Sequence, residues 1–256
     1  LIYNLLKQGF AGSILVVERG DKIAYGPTAF SAGGFRNLWT TEINQQLCTH
    51  AIGLLKHFQR DMGVSCGYDP SGYLFTYYAK GWAKVPEAAK IWAKNGVNFD
   101  LVTPEQIEEM IPGMKCGVDH MDEEVREFLG FEPIVGGVFG RDCGAFDPSQ
   151  AAVGYFERAA DFPNKPLVQL NTEVLQVTFA GAKVNGIKLK DANGVEETIE
   201  AGIVALCVGP WINKLLKQSG CADEDLCPII SQKRMMFITE FPGFPHEDPR
   251  WHKIPL

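Results

Sequence analysis

The chain has 256 residues, 46% of them hydrophobic, enough for one large domain or two interleaved ones with a substantial core. Its formal net charge of −7 argues against a nucleic-acid surface and against binding to anionic membranes, and no apolar run approaches the roughly 18 residues needed to span a bilayer. The seven cysteines are widely spread and none forms a C-x-x-C pair. That pattern points to reduced thiols in a reducing compartment, the cytoplasm or alternatively the mitochondrial matrix, rather than to a disulfide framework or a metal centre.

In chain order, Leu1–Gly9 predicts the tail of a helix: apolar residues at 1, 2, 5 and 6 share a face, and Gly9 is a C-terminal stop. Ser13–Arg19 (SILVVER) follows. Its continuous apolar run, Ile14–Val17, is the pattern of a strand buried on both faces of a parallel sheet. The strand ends in Glu18-Arg19-Gly20, and Glu18 reads in two ways. It is either a charged strand terminus, or the acid that accepts hydrogen bonds from a ribose in a dinucleotide-binding βαβ unit. No G-x-G-x-x-G precedes it, so the chain is expected to open inside such a unit, one strand and one glycine loop late.

The loop Phe30–Asn37 (FSAGGFRN) contains Ser31, Ala32, Gly33 and Gly34, small residues that let a backbone approach a ligand closely and whose N–H groups can cradle anionic or electron-rich atoms. A flexible surface loop is the alternative. Arg36 places a fixed positive charge beside it. Thr41–Met62 predicts one long helix with Leu47, Ala51, Leu54, Leu55, Phe58 and Met62 on its apolar face, closed by Gly63.

Tyr73–Tyr78 is rich in strand formers, and Lys84–Asn95 predicts a helix closed by Gly96, with an extended segment at Val97–Leu101. Thr103, Pro104 and Gln106 make a helix start of the capping-box type. The acidic stretch from Gly113 to Pro133 has no Ca-loop spacing and reads as a solvated insertion. Ile134–Gly140 predicts a strand, and Asp147 caps a helix that starts at Pro148. Val168–Gln176, Lys183–Lys190 and Glu196–Ile199 read as strands, the last two joined by an Asn193-Gly194 hairpin turn. Ile203–Val208 predicts a second buried strand, with Cys207 inside the core, running into Gly209-Pro210-Trp211 and a helix from Ile212. Pro228–Thr239 predicts a further strand carrying Lys233 and Arg234. The last residues, from Phe241, have four prolines and no period, so the C-terminal side too is expected to be incomplete, the chain being a fragment of a longer protein.

Four stretches, Val17-Glu18-Arg19, Ser31–Gly34, Gly144-Ala145-Phe146-Asp147-Pro148 before a helix, and Val204–Trp211, occur in an order that resembles the D-amino-acid oxidase superfamily of FAD-dependent oxidoreductases. The closest look is to the sarcosine and dimethylglycine oxidase or dehydrogenase branch. The usual A-G-P-W keeps only Gly209-Pro210-Trp211 here, and Ser71-Gly72-Tyr73-Leu74 matches a substrate-domain segment.

The resemblance implies an α/β fold: a FAD-binding Rossmann-like domain of the glutathione-reductase/p-hydroxybenzoate-hydroxylase type over residues 1–64 and 145–220, interleaved with an α+β substrate domain over 65–144 and 221–256. It also implies FAD as cofactor. Glu18 would bind the ribose, with Arg19 beside the adenine. Ser31, Gly33 and Gly34 would line the pyrophosphate and flavin edge, and Val174 would offer its backbone to the adenine. Gly209, Pro210 and Trp211 would close on the cofactor. Arg36 would lie at the flavin ring and Arg234 on a strand facing the flavin pocket, both serving catalysis. None of the cysteines sits where the family attaches its flavin, so no covalent link is expected, and no metal.

The expected substrate is a small amine or amino acid of the sarcosine, dimethylglycine, glycine or proline type, oxidised at its C–N bond. A flavoprotein without turnover, serving assembly, is the competing reading. A nicotinamide-dependent Rossmann enzyme is a third, against which the long insertion between residues 65 and 143 argues.

Overall fold

A computed structural model of the chain describes residues 1–232, Met235 and Pro255; Lys233 and Arg234 lie outside the described residues. The elements in chain order are α1 (Ile2–Lys7), β1 (Leu15–Val17), β2 (Gly34–Phe35), α2 (Glu42–Lys56), α3 (Phe58–Met62), β3 (Tyr73–Tyr77), α4 (Ala79–Trp82), α5 (Val85–Lys94), β4 (Phe99–Val102) and α6 (Pro104–Met110). They continue with α7 (Glu123–Leu129), β5 (Gly136–Gly140), β6 (Gly144–Ala145), α8 (Pro148–Ala159), β7 (Leu167–Gln169), β8 (Glu173–Ala180), β9 (Lys183–Lys190), β10 (Glu196–Glu200) and α9 (Ile212–Gln218). The fold is α/β, in two compact units interleaved along the chain. The first takes Leu1–Phe30 and the described chain from Ala152 through Gln232; the second takes Ser31–Ala151.

These crossings differ from the boundaries at 64, 144 and 220 drawn from sequence, for reasons visible in the packing. Leu38 shares a core with Val85, Trp92, Val97, Val138 and Cys143, and Gln45 on α2 bonds to the side chain of Asn95, so residues 31–64 belong with the second unit. At the other crossing, Asn213 on α9 exchanges hydrogen bonds of 2.9 and 3.0 Å with the backbone of Cys227, holding the chain beyond 220 in the first unit.

In the first unit β1 pairs in parallel with β7, Leu15 opposite Leu167 and Val17 opposite Gln169. Tyr3 of α1 packs on Tyr155 of α8 at 5.6 Å between ring centres. The antiparallel meander β8–β9–β10 closes its second turn with Asp191, whose Oδ1 accepts from the N–H groups of Asn193 and Val195, as the Asn-Gly signal predicts.

Four expectations fail here. β1 is not buried on both faces: Leu15 is 37% exposed and β7 is its one ladder partner among the described residues. Residues 203–208 form no strand, Ile203 is 81% exposed, and Cys207 is exposed rather than in the core. An apolar run becomes a buried strand only where neighbouring strands satisfy its backbone groups, and no strand among the described residues pairs with 203–208. Pro228–Gln232, the described start of another expected strand, is also without strand structure.

The second unit is built on the antiparallel sheet β3–β5–β4. Its central strand is glycine-rich because large side chains lie against it. A Cβ on Gly136 would meet the Trp82 ring at 2.8 Å, and one on Gly137 would meet Ile107 at 3.1 Å. The capping box of α6 forms as expected: Thr103 Oγ1 accepts from the Gln106 N–H at 3.3 Å, and Gln106 Oε1 from the Thr103 N–H at 2.9 Å. The long helix expected over 41–62 breaks at His57 into α2 and α3. Its buried residues are Gln45, Ile52, Phe58 and Met62, while Leu47 is 61% exposed. The acidic insertion holds a helix that the sequence reading missed, α7, capped by Asp122 Oδ1 on the Val125 N–H at 3.1 Å and ended by Gly130.

Candidate functional site

The first unit gathers one group of expected residues at the carboxyl end of β1, where open α/β sheets receive ligands. The strand continues one step past its last ladder residue: the Glu18 N–H donates to the Gln169 carbonyl at 3.0 Å, and the Glu18 carbonyl accepts from the Thr172 N–H at 3.0 Å. These bonds fix the Glu18 backbone. Its carboxylate is fixed by the turn that follows, Oε1 accepting from the Gly20 N–H at 2.7 Å. Among the described residues no hydrogen bond reaches Oε2, so one carboxylate oxygen is held and the other is open to hydroxyl donors. Arg19 turns its guanidinium over the ring of Trp211, 5.3 Å from the centroid. Trp211 ends a 3-10 turn, Gly209–Trp211, in which Gly209 has φ +55° and the Pro210 carbonyl accepts from Ser231 Oγ.

Val174 stands on β8, an edge strand, opposite Leu189. The register slips between Val174 and Gln176, which leaves Leu175 out of the ladder and interrupts pairing beside Val174. A carboxylate with an open oxygen, a cation on an aromatic face and an interrupted strand edge fit the chemistry of an adenosine group: ribose hydroxyls, a flat ring and ring-edge donors and acceptors.

The second unit holds the glycine loop. Ser31 Oγ accepts from the Gly33 N–H at 3.1 Å, and the Gly33 carbonyl accepts from the Phe146 N–H at 3.1 Å. Gly33 has φ +69°, and a Cβ there would collide with the Phe146 carbonyl oxygen. The residue is therefore glycine for backbone packing, and its N–H is already engaged. Gly34 and Phe35 form β2, which pairs with β6, Gly34 opposite Ala145. That ladder fastens the loop to Gly144–Pro148, where Asp147 Oδ1 caps α8 by accepting from the N–H groups of Ser149 and Gln150 at 2.8 and 3.0 Å.

Arg36 follows directly. Its guanidinium carbon lies 4.4 Å from the ring centre of Trp39, 4.7 Å from that of Phe75 and 5.7 Å from that of Tyr73. Tyr73 and Phe75 are alternate residues of β3 and stack on each other at 4.9 Å. No carboxylate among the described residues pairs with Arg36. Burial pushes the nearby Tyr77 phenol above its ordinary value, and the positive charge of Arg36 pulls it part of the way back. The sequence reading missed Trp39, Tyr73 and Phe75 as site residues. The signal available was the alternation of aromatics in Tyr73–Tyr77, read only as strand propensity. Arg234, the other expected catalytic residue, lies outside the described residues.

Among the described residues no group of three or more His, Cys, Asp or Glu could hold a metal ion, and no helix is long and apolar enough to cross a membrane.

Comparison with known proteins specifies the family. Residues 1–255 match the FAD dependent oxidoreductase (DAO) family. The chain belongs to that family, whose cofactor is FAD. FAD-dependent oxidoreductase domain-containing protein 1 of Xenopus laevis is 21% identical over 253 residues, which is 92% of this chain and 49% of that protein. Among solved structures, L-proline dehydrogenase from P. horikoshii superposes with a TM-score of 0.67 at 23% identity, over 86% of this chain and 52% of that one. Glycine oxidase from Geobacillus kaustophilus gives a TM-score of 0.64 at 17% identity, over 86% and 54% of the two chains. The chain thus spans about half the length of these relatives.

Proposed function

We propose that this protein is an FAD-dependent oxidase or dehydrogenase of a small secondary or tertiary amino acid, of the sarcosine, dimethylglycine, glycine or proline type, working in the cytoplasm or the mitochondrial matrix. Support comes from the family and from the fold shared with proline dehydrogenase and glycine oxidase. The single observation that carries the reading is Arg36, a cation seated on three aromatic rings with no carboxylate partner among the described residues.

In this reading Glu18 Oε2 accepts from the ribose hydroxyls, Arg19 lies beside the adenine, and Val174 presents backbone to it. Gly209, Pro210 and Trp211 close on the cofactor; Ser31, Gly33 and Gly34 line the pyrophosphate and flavin edge. Arg36 holds the substrate carboxylate by charge-assisted hydrogen bonds, which orients the C–N bond to be broken. Arg234, outside the described residues, keeps the catalytic role that the family resemblance implies. Bound FAD supplies the hydride acceptor, and the protein supplies binding, orientation and charge.

Incubating the full-length holoprotein with each candidate amino acid and an artificial electron acceptor tests the reading through formation of the dehydrogenated product. A product from at least one supports it; none from any sinks it.

A second reading is a flavoprotein without turnover that serves as an assembly factor. The observation favouring it is α7, which buries none of its residues and presents Val125, Phe128 and Leu129 to solvent, Phe128 at 89%.

A further inference from the structure

Arginines in protein interiors are usually neutralised by a carboxylate, which consumes the guanidinium donors as well as the charge. Arg36 is half-buried and lacks that partner among the described residues. Aromatic faces supply negative potential to a cation within about 6 Å of the ring centre, but they leave its N–H groups free. The three rings at 4.4, 4.7 and 5.7 Å therefore face the Arg36 guanidinium while keeping its donors available.

Trp39 differs from the other two rings because it grips Arg36 twice. Its ring lies against the guanidinium, and its indole Nε1–H donates to the Arg36 carbonyl at 3.2 Å. It is itself immobilised from behind. The Trp39 carbonyl accepts from Trp92 Nε1–H at 3.0 Å and from the amide of Gln45, and Gln45, 1% exposed, accepts in turn from the amide of Asn95. α2 and α5 thus fix the Trp39 backbone, and Trp39 fixes both ends of Arg36.

We propose that Trp39 is a positioning residue for this site: with Phe75 it holds Arg36 as a preorganised cation, without a carboxylate partner among the described residues, as a receptor for the carboxylate of the amino-acid substrate. The inference rests on the proposed role of Arg36. It adds that carboxylate affinity depends on a ring that acts through Arg36. A receptor ordered before the ligand arrives loses less conformational freedom on binding.

The test is propionate, a carboxylate with no amine to oxidise, titrated calorimetrically into the full-length holoenzyme. Trp39→Leu is expected to weaken propionate about fivefold and Phe75→Leu about threefold, the scale of a partly exposed cation–π contact. Trp39→Phe, which keeps a ring, restores most of the affinity. Both losses vanish in an Arg36→Ala background, because the rings act only through Arg36. With an amino-acid substrate, Trp39→Leu raises KM with little change in kcat.

If Trp39→Leu does not fold, Phe75→Leu decides, since it leaves the Trp39 carbonyl network untouched. Folded ring variants that bind propionate as tightly as wild type, or that lose as much affinity without Arg36 as with it, overturn the positioning role. If Arg36→Ala also binds propionate normally, or wild type binds none, the carboxylate role of Arg36 falls with it. Carboxylate binding through Arg36 without oxidation of any amino acid leaves the receptor standing and rejects only the oxidase reading.

Discussion

The guanidinium carbon of Arg19 lies 5.3 Å from the centre of the Trp211 ring. The two residues come from distant parts of the chain, one just after β1 and one at the entrance to α9. Their contact brings the Val17-Glu18-Arg19 strand end to the Gly209-Pro210-Trp211 turn without the ordered strand that was expected to lead into it. The Glu18 carboxylate, at that strand end, keeps Oε1 on the Gly20 N–H.

Glu18→Ala in the full-length protein is accordingly expected to weaken FAD by about 1–3 kcal/mol, the scale of lost charge-assisted hydrogen bonds. Fluorescence titration of the apoprotein with FAD measures it. Equal affinities in mutant and wild type would remove Glu18 from the site.

Gly33→Ala tests the glycine loop separately. The added methyl group meets the Phe146 carbonyl oxygen, and φ +69° is strained for alanine. The expected cost in stability is roughly 1–3 kcal/mol for the backbone strain, plus the clash. Urea unfolding reads it directly. A variant as stable as wild type would show that the loop relaxes freely and does not depend on its β2–β6 fastening.

The cysteines give a prediction in pH. Cys143 is fully buried, its Sγ 3.6 Å from Asn37 Oδ1, and burial pushes its thiol above the ordinary value of 9.0. The unfolded chain therefore loses this proton first. The stability contributed by the neutral thiol is whole below pH 9 and is lost as pH rises through the higher folded value. Cys143→Ala should flatten the alkaline fall of Tm. In the native protein at neutral pH, iodoacetamide should modify the exposed Cys207 and spare Cys143, as peptide mass spectrometry can show; equal labelling would contradict the burial of Cys143.

What was legible in the sequence was chemistry completed within a few residues. The Thr103–Gln106 capping box, the Asp147 cap and the Asn193-Gly194 turn each involve donors and acceptors that neighbour one another along the chain, so composition at fixed spacing suffices. Glu18 and Arg36 stood out by their places at a strand end and beside a glycine loop, and their expected roles came from the family resemblance. Burial was less legible, because it depends on partners elsewhere. The apolar runs at 14–17 and 203–208 look alike, yet one finds a ladder partner in β7 and the other finds none among the described residues. The α2–α3 break at His57 has no breaker residue to announce it. The seat of Arg36 was invisible for the same reason: Trp39 and the β3 rings meet it only after the chain has folded back.

The most direct measurement of the central claim is anaerobic titration of the full-length holoprotein with sarcosine, dimethylglycine, glycine and proline, following the visible absorbance of its flavin. The account predicts that at least one bleaches the flavin, and that Arg36→Ala with equal flavin content is reduced more slowly by the same amino acid. A flavin that stays oxidised with all four would contradict it and favour the assembly-factor reading.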